Sequence, residues 1–117
     1  MSRKAGDRYE KAARQFLEAK QYQVLETNYR YSRKEIDLIC VDGDELVFVE
    51  VKGGRSQRFG DPVYRVDQRK QEAIIETAQG YLTEAKRSYS AYRFDVVLVR
   101  EEKGRLLVEH RPAAFTL

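Results

Sequence analysis

Asp37, Glu50 and Lys52 are the residues of this sequence whose types and spacing are best suited to chemistry. They interrupt two apolar runs, EIDLICV at 35–41 and LVFVEVK at 46–52, on either side of the turn dipeptide Asp42-Gly43. Carboxylates that face each other in a sheet repel, which costs stability unless they are protonated, exposed, paired with cations or bound to a metal. Two or three carboxylate oxygens converging at short range suit a hard divalent cation such as magnesium. A cation held in this way polarises a phosphate and activates a water. An ammonium group one pleat further on steadies the developing negative charge. The set fits phosphodiester hydrolysis. A plainer reading stands beside it, because Glu-x-Lys is common in strands. On that reading Lys52 neutralises Glu50 where the strand leaves the core, and Asp37 caps a backbone amide.

The elements around these residues decide whether they meet. Side chains alternate between the faces of a strand. Leu46, Phe48, Glu50 and Lys52 therefore share one face of the second strand. On the first, Glu35, Asp37, Ile39 and Val41 share a face, with Ile36, Leu38 and Cys40 on the other. A two-residue Asp42-Gly43 turn pairs Val41 with Asp44 and makes Asp37 the diagonal neighbour of Glu50. A four-residue loop sets Asp37 directly opposite Glu50. Either register gathers Asp37, Glu50 and Lys52 on one face, whereas a plain three-residue loop separates them.

Residues 4–20 carry Ala5, Tyr9, Ala12, Ala13, Phe16 and Leu17 at the spacing of an amphipathic helix, with Glu10 at the edge of the stripe. Residues 22–29 read as a strand that continues or bends through 34, and strands 35–41 and 45–52 follow as a hairpin. Residues 53–66, rich in Gly and Arg, form a long connection. Asp67 is the expected N-cap of a second helix running to about Arg87, with Ile74, Ala78, Tyr81, Leu82 and Ala85 on its inner face and Gly80 weakening it. Residues 93–100 read as a buried central strand, interrupted by Asp95 in a structural role. A last strand spans 105–111, and a tail from Pro112 closes the chain. The order α-β-β-β-α-β-β predicts one α/β domain over 1–117, in which a mixed β-sheet is flanked by helices. Strands 45–52 and 93–100 are parallel through a right-handed crossover.

Composition narrows the function classes. The chain has 117 residues, 42% of them apolar and 35% charged, which supplies one core and a heavily charged surface. A net charge of +3 permits a polyanionic partner without requiring one. Cys40, the only cysteine, excludes an internal disulfide and reads as a small core residue. One cysteine and one histidine, His110, do not build the usual four-ligand zinc site. No apolar run has the length of a membrane span and no apolar segment follows the N-terminus, so a cytoplasmic location is expected. Arg55, Arg58 and Arg65, with Phe59 or Tyr64 to stack on bases, form a candidate grip on nucleic acid, joined by Lys70, Arg33 and Arg30. The ordinary alternative for each of them is a solvated cation.

Taken together, EIDLI at 35–39, LVFVEVK at 46–52, FGDP at 59–62 and RFDVV at 93–97 resemble the YraN-like family of uncharacterised bacterial proteins. That family is similar to archaeal Holliday junction resolvases of the PD-(D/E)XK, restriction-endonuclease-like superfamily, and the resemblance runs from about Gly6 to Val99. It implies that Asp37 and Glu50 bind magnesium or manganese and that Lys52 is the catalytic lysine. It also implies that Glu10 completes the site from the first helix and that Glu35 assists or flanks it. DNA, including branched or structured DNA, is the implied substrate, and a homodimer the implied unit for paired cuts. The alternative is a nucleic-acid-binding or adaptor protein that keeps the fold without cleaving. Three departures from the family pattern stand out: Tyr9 and Lys34 replace glycines, and Gly53-Gly54-Arg55 follows Lys52 in place of Thr-Arg.

Overall fold

A computed structural model of the chain describes residues 3–55, 65–85 and 88–116. Helix α1 (Arg3–Ala19) leads into β1 (Gln23–Tyr31), β2 (Lys34–Asp42) and β3 (Glu45–Gly54). Helix α2 (Gln68–Glu84), β4 (Ala91–Glu102) and β5 (Arg105–Phe115) follow. The order is the expected α-β-β-β-α-β-β, and the strands form one mixed sheet in the order β1-β2-β3-β4-β5. β1 to β3 make an antiparallel meander, β3 and β4 run parallel, and β5 returns antiparallel. This α/β architecture is compatible with a restriction-endonuclease-like core. No helix among the described residues is long and apolar enough to cross a membrane.

Each helix buries its apolar stripe on one face of the sheet. Tyr9, Ala13 and Leu17 of α1 pack on Leu38, Cys40, Val47, Val49, Val51, Val97 and Val99. Ile74 and Ala78 of α2 pack on Ile36, Ile39, Val41, Leu46, Phe48 and Phe94. β3 and β4 are thus covered on both faces, which is why they read as almost unbroken apolar runs. Each large side chain buried there, such as Phe48 or Leu46, stabilises the fold by about 1.5–3 kcal/mol. Gly80 has a packing reason for its place in α2, since a Cβ there would lie 2.5 Å from the Tyr31 ring.

The structure corrects four local expectations. The β2–β3 turn is Gly43-Asp44, closed by Asp42↔Glu45, because the positive φ of 64° falls at the first turn position, where glycine is tolerated. Val41 then pairs with Leu46, the register that points toward Asp37 opposite Glu50, but pairing stops one residue short of them at Leu38↔Val49. Ile36 packs with the α2 cluster, not with Leu38 and Cys40, beyond the level at which Asn28 and Asp37 drop out of the β1–β2 ladder. Helix α2 stops at Glu84, where Ala85 turns extended. The tail from Pro112 is part of β5: a register shift between Phe94 and Val96 absorbs Pro112, and pairing resumes at Phe94↔Phe115. Asp95 sits at that shift, fully buried. It accepts from Arg93 Nε (3.0 Å), contacts His110 Nε2 (2.7 Å) and accepts from the Ala113 N–H (3.0 Å). Burial opposes its charge, but these donors outweigh burial and hold its carboxyl below the usual range.

One feature of the sheet shapes everything near Asp37. β1–β2 pairing runs on to Tyr31↔Lys34 and β3–β4 pairing to Gly54↔Arg100, yet β2 and β3 cease to pair beyond Leu38 and Val49. The sheet forks there. The Val51 N–H donates to Asp37 Oδ2 at 2.8 Å, so a side chain replaces the carbonyl that a regular ladder would offer.

Candidate active site

A cavity of about 550 Å³ opens in the fork. Glu10, Glu35, Asp37, Glu50, Lys52 and Lys70 line it, with Asn28 and Arg30 at its side. Glu10 comes from the helix on one face of the sheet and Lys70 from the helix on the other. Asp37, Glu50 and Lys52 are therefore only part of the cavity lining, since a forked sheet admits side chains from both layers. Lys70 is presented by the first turn of α2, whose N-cap Asp67 accepts from the Lys70 N–H at 2.9 Å.

The acids are crowded. Carboxylate oxygens of Glu10, Glu35 and Asp37 lie within 4.8 Å of one another. Glu50 is only 4% exposed. Burial, then the hydrogen bond and charge of Asp37, push its carboxyl up to about 8, with Lys70 and Lys52 pulling the other way. Burial, then Asp37 and Glu35, push Glu10 up to about 7. The charge and hydrogen-bonding capacity of Asp37 contribute to both upward shifts, and Asp37 also accepts from Val51 N–H. Asp37 is thus the residue that both raised glutamates have in common. Lys70 Nζ stands 3.4 Å from Glu50 Oε2, and Arg30 Nε stands 3.4 Å from Glu35 Oε2 at the mouth.

The remaining candidates are placed elsewhere. Arg55 is exposed and pairs with Glu101 at 3.4 Å. Arg33 is exposed at the β1–β2 turn. Arg65 lines a second cavity of about 440 Å³ with Arg111 and Phe115. Arg58, Phe59, Tyr64 and the FGDP run lie outside the described residues. Cys40 is buried, and burial together with Asp95 pushes its thiol up to about 12, away from thiolate chemistry. His110 is committed to Asp95 and to edge contacts with Phe16 and Tyr22. Asp7 and Asn28, which the sequence patterns do not single out, also line the cavity; Asn28 of β1 donates through Nδ2 to both oxygens of Glu10 at 3.3 and 3.4 Å. The signal available for Asn28 is an asparagine within a strand, a residue type that strands disfavour.

Two of the departures from the family pattern meet in space. A Cβ on Gly53 would lie 2.1 Å from Tyr9 Cδ2, so the ring of Tyr9 occupies the room that the missing side chain leaves. The Tyr9 hydroxyl donates to Glu101 at 3.0 Å. The same contact ties the residue before Glu10 to the residue after Lys52. Gly53→Ala is expected to cost about 1–3 kcal/mol by overpacking, and Tyr9→Ala in the same chain should return most of that loss. Urea denaturation of the single and double variants measures both effects.

The Uncharacterised protein family UPF0102 model matches residues 9–99. The chain is 39% identical over 115 residues to a UPF0102 protein of Syntrophomonas wolfei, covering 98% of this chain and all of that one. It is 43% identical over 107 residues to a UPF0102 protein of Symbiobacterium thermophilum, covering 91% of each. A UPF0102 protein of Acetivibrio thermocellus is 47% identical over 102 residues, 86% of this chain and 78% of that one.

Proposed function

The chain belongs to the uncharacterised protein family UPF0102, and from that premise we propose that the forked-sheet cavity is a divalent-metal site for hydrolysing phosphodiester bonds of DNA. The observation that carries this reading is the convergence of Glu10, Glu35, Asp37 and Glu50 beside Lys52 in one cavity. The donor set fits a hard cation. Its atoms are carboxylate oxygens, three of the groups meet within 4.8 Å, and burial with the neighbouring acids pushes the carboxyls of Glu10 and Glu50 up. Asp37 and Glu50 would hold magnesium or manganese, with Glu10 and Glu35 alongside. When bound, such an ion supplies Lewis acidity toward a phosphate and lowers the pKa of water.

The chain's own groups do the rest. Asp37 fixes the floor of the fork through Val51 N–H, and so sets the strand that carries Glu50 and Lys52. The Lys52 ammonium, at the same cavity, meets negative charge developing on a phosphate oxygen. Lys70, 3.4 Å from Glu50 Oε2, would be free to meet a phosphate if a cation engaged Glu50. Arg30 at the mouth offers a further phosphate contact. Branched or structured DNA is the substrate that the resemblance of EIDLI and LVFVEVK implies.

The test uses linear, single-stranded and branched DNA, with magnesium, manganese or chelator. Cleavage that needs metal supports the reading. Retention of DNA without any cleavage, with metal present, identifies the adaptor alternative.

A further inference from the structure

We infer that Asn28 is a positioning residue for this site, holding the Glu10 carboxylate in the orientation that serves a bound cation; the inference rests on the metal-dependent reading above. Pairing between β1 and β2 passes from Thr27↔Leu38 to Tyr29↔Ile36, leaving out Asn28 on one strand and Asp37 on the other. The ladder is interrupted at this level without a change of register, and both residues line the cavity. Asn28 has φ 52°, in the left-handed region. Asparagine is among the few non-glycine residues that enter this region readily. Inside a strand such a conformation persists only where its surroundings impose it, and such sites cluster at functional centres.

The register shift in β1 lies earlier, between Val24 and Glu26, so it does not require the turn at Asn28. What the left-handed backbone achieves is visible in the side chain. Its amide spans both Glu10 oxygens, at 3.3 and 3.4 Å. A donor shared between the two oxygens restricts rotation of the carboxylate, one oxygen of which lies within 4.8 Å of oxygens of Asp37 and Glu35. Groups that orient metal ligands in this way typically govern affinity, and their loss costs about 10- to 100-fold.

The experiment titrates Mn²⁺ into the full chain, followed by electron paramagnetic resonance, for the parent, Asn28→Gly, Glu10→Gln and the double variant. Glycine accepts the positive φ and deletes only the amide. Asn28→Gly is expected to weaken Mn²⁺ binding by about 10- to 100-fold without lowering Tm. In the Glu10→Gln background the same change should alter binding by less than about threefold, because the group through which Asn28 acts is gone. Unchanged binding in Asn28→Gly, or an equal loss in both backgrounds, overturns the inference while leaving the metal reading intact. A parent chain that binds no Mn²⁺ overturns both.

Discussion

Glu50→Gln is expected to stabilise the metal-free protein by about 2–3 kcal/mol above pH 8 while reducing metal-dependent cleavage to background. The direction follows from linkage. Folded Glu50 keeps its proton up to about pH 8, whereas the ordinary value for glutamate is 4.5. The folded state therefore binds more protons across that window. Stability falls as pH rises through it, and the whole penalty is present above it. Near pH 5 Glu50 is neutral in the fold, so glutamine, of the same shape, should leave Tm almost unchanged. In alkaline solution glutamine no longer has to ionise beside Asp37, and Tm should rise by roughly 5–10 °C. Differential scanning calorimetry at both pH values with chelator reads the effect. A variant that is equally destabilised at the two pH values would show that Glu50 is an ordinary paired core carboxylate. Saturating Mg²⁺ should also erase the alkaline loss in the parent and leave the variant unmoved.

Lys52→Ala is expected to separate binding from chemistry. Lys52 lines the cavity but is not among the carboxylates that would hold a cation. Its removal should lower kcat on the order of 100- to 1,000-fold, the usual cost of losing one donor aimed at developing charge. Mn²⁺ affinity should stay within about threefold of the parent, because the ligands remain and only one nearby positive charge is lost. Single-turnover cleavage alongside Mn²⁺ titration distinguishes these effects. A variant that cleaves at the parent rate removes Lys52 from the chemistry. One that loses metal binding makes Lys52 a structural partner of Glu50.

Much of this site was legible in the residues. Strand alternation puts Asp37, Glu50 and Lys52 within reach of one another in two of three registers, and the structure adopts one of those two. The turn is displaced by one residue because Asp42-Gly43 and Gly43-Asp44 share the same glycine, and its positive φ belongs at the first position. The fork was not legible. It arises where a side-chain oxygen takes a backbone N–H from a neighbouring strand, and no periodicity encodes such a bond. Without the fork, the presence of Glu10 and Lys70 in the same cavity from opposite layers has no explanation in strand patterns alone. Asn28 was passed over for a related reason: a polar residue on an edge strand reads as solvent-facing until its backbone is seen to turn it toward Glu10. Asp95 was recognised as structural from its place in a buried strand, but its partners come from a strand extension past Pro112 that the proline concealed.

The central claim is that Asp37 and Glu50 share a divalent cation at the floor of the fork. Crystals of the full chain soaked in Mn²⁺ test it most directly, through the anomalous signal of the ion. The expected result is a Mn²⁺ peak within ligand distance of both carboxylates, with Lys70 drawn away from Glu50. A cavity without Mn²⁺ at saturating concentration, with Lys70 still paired to Glu50, would contradict it.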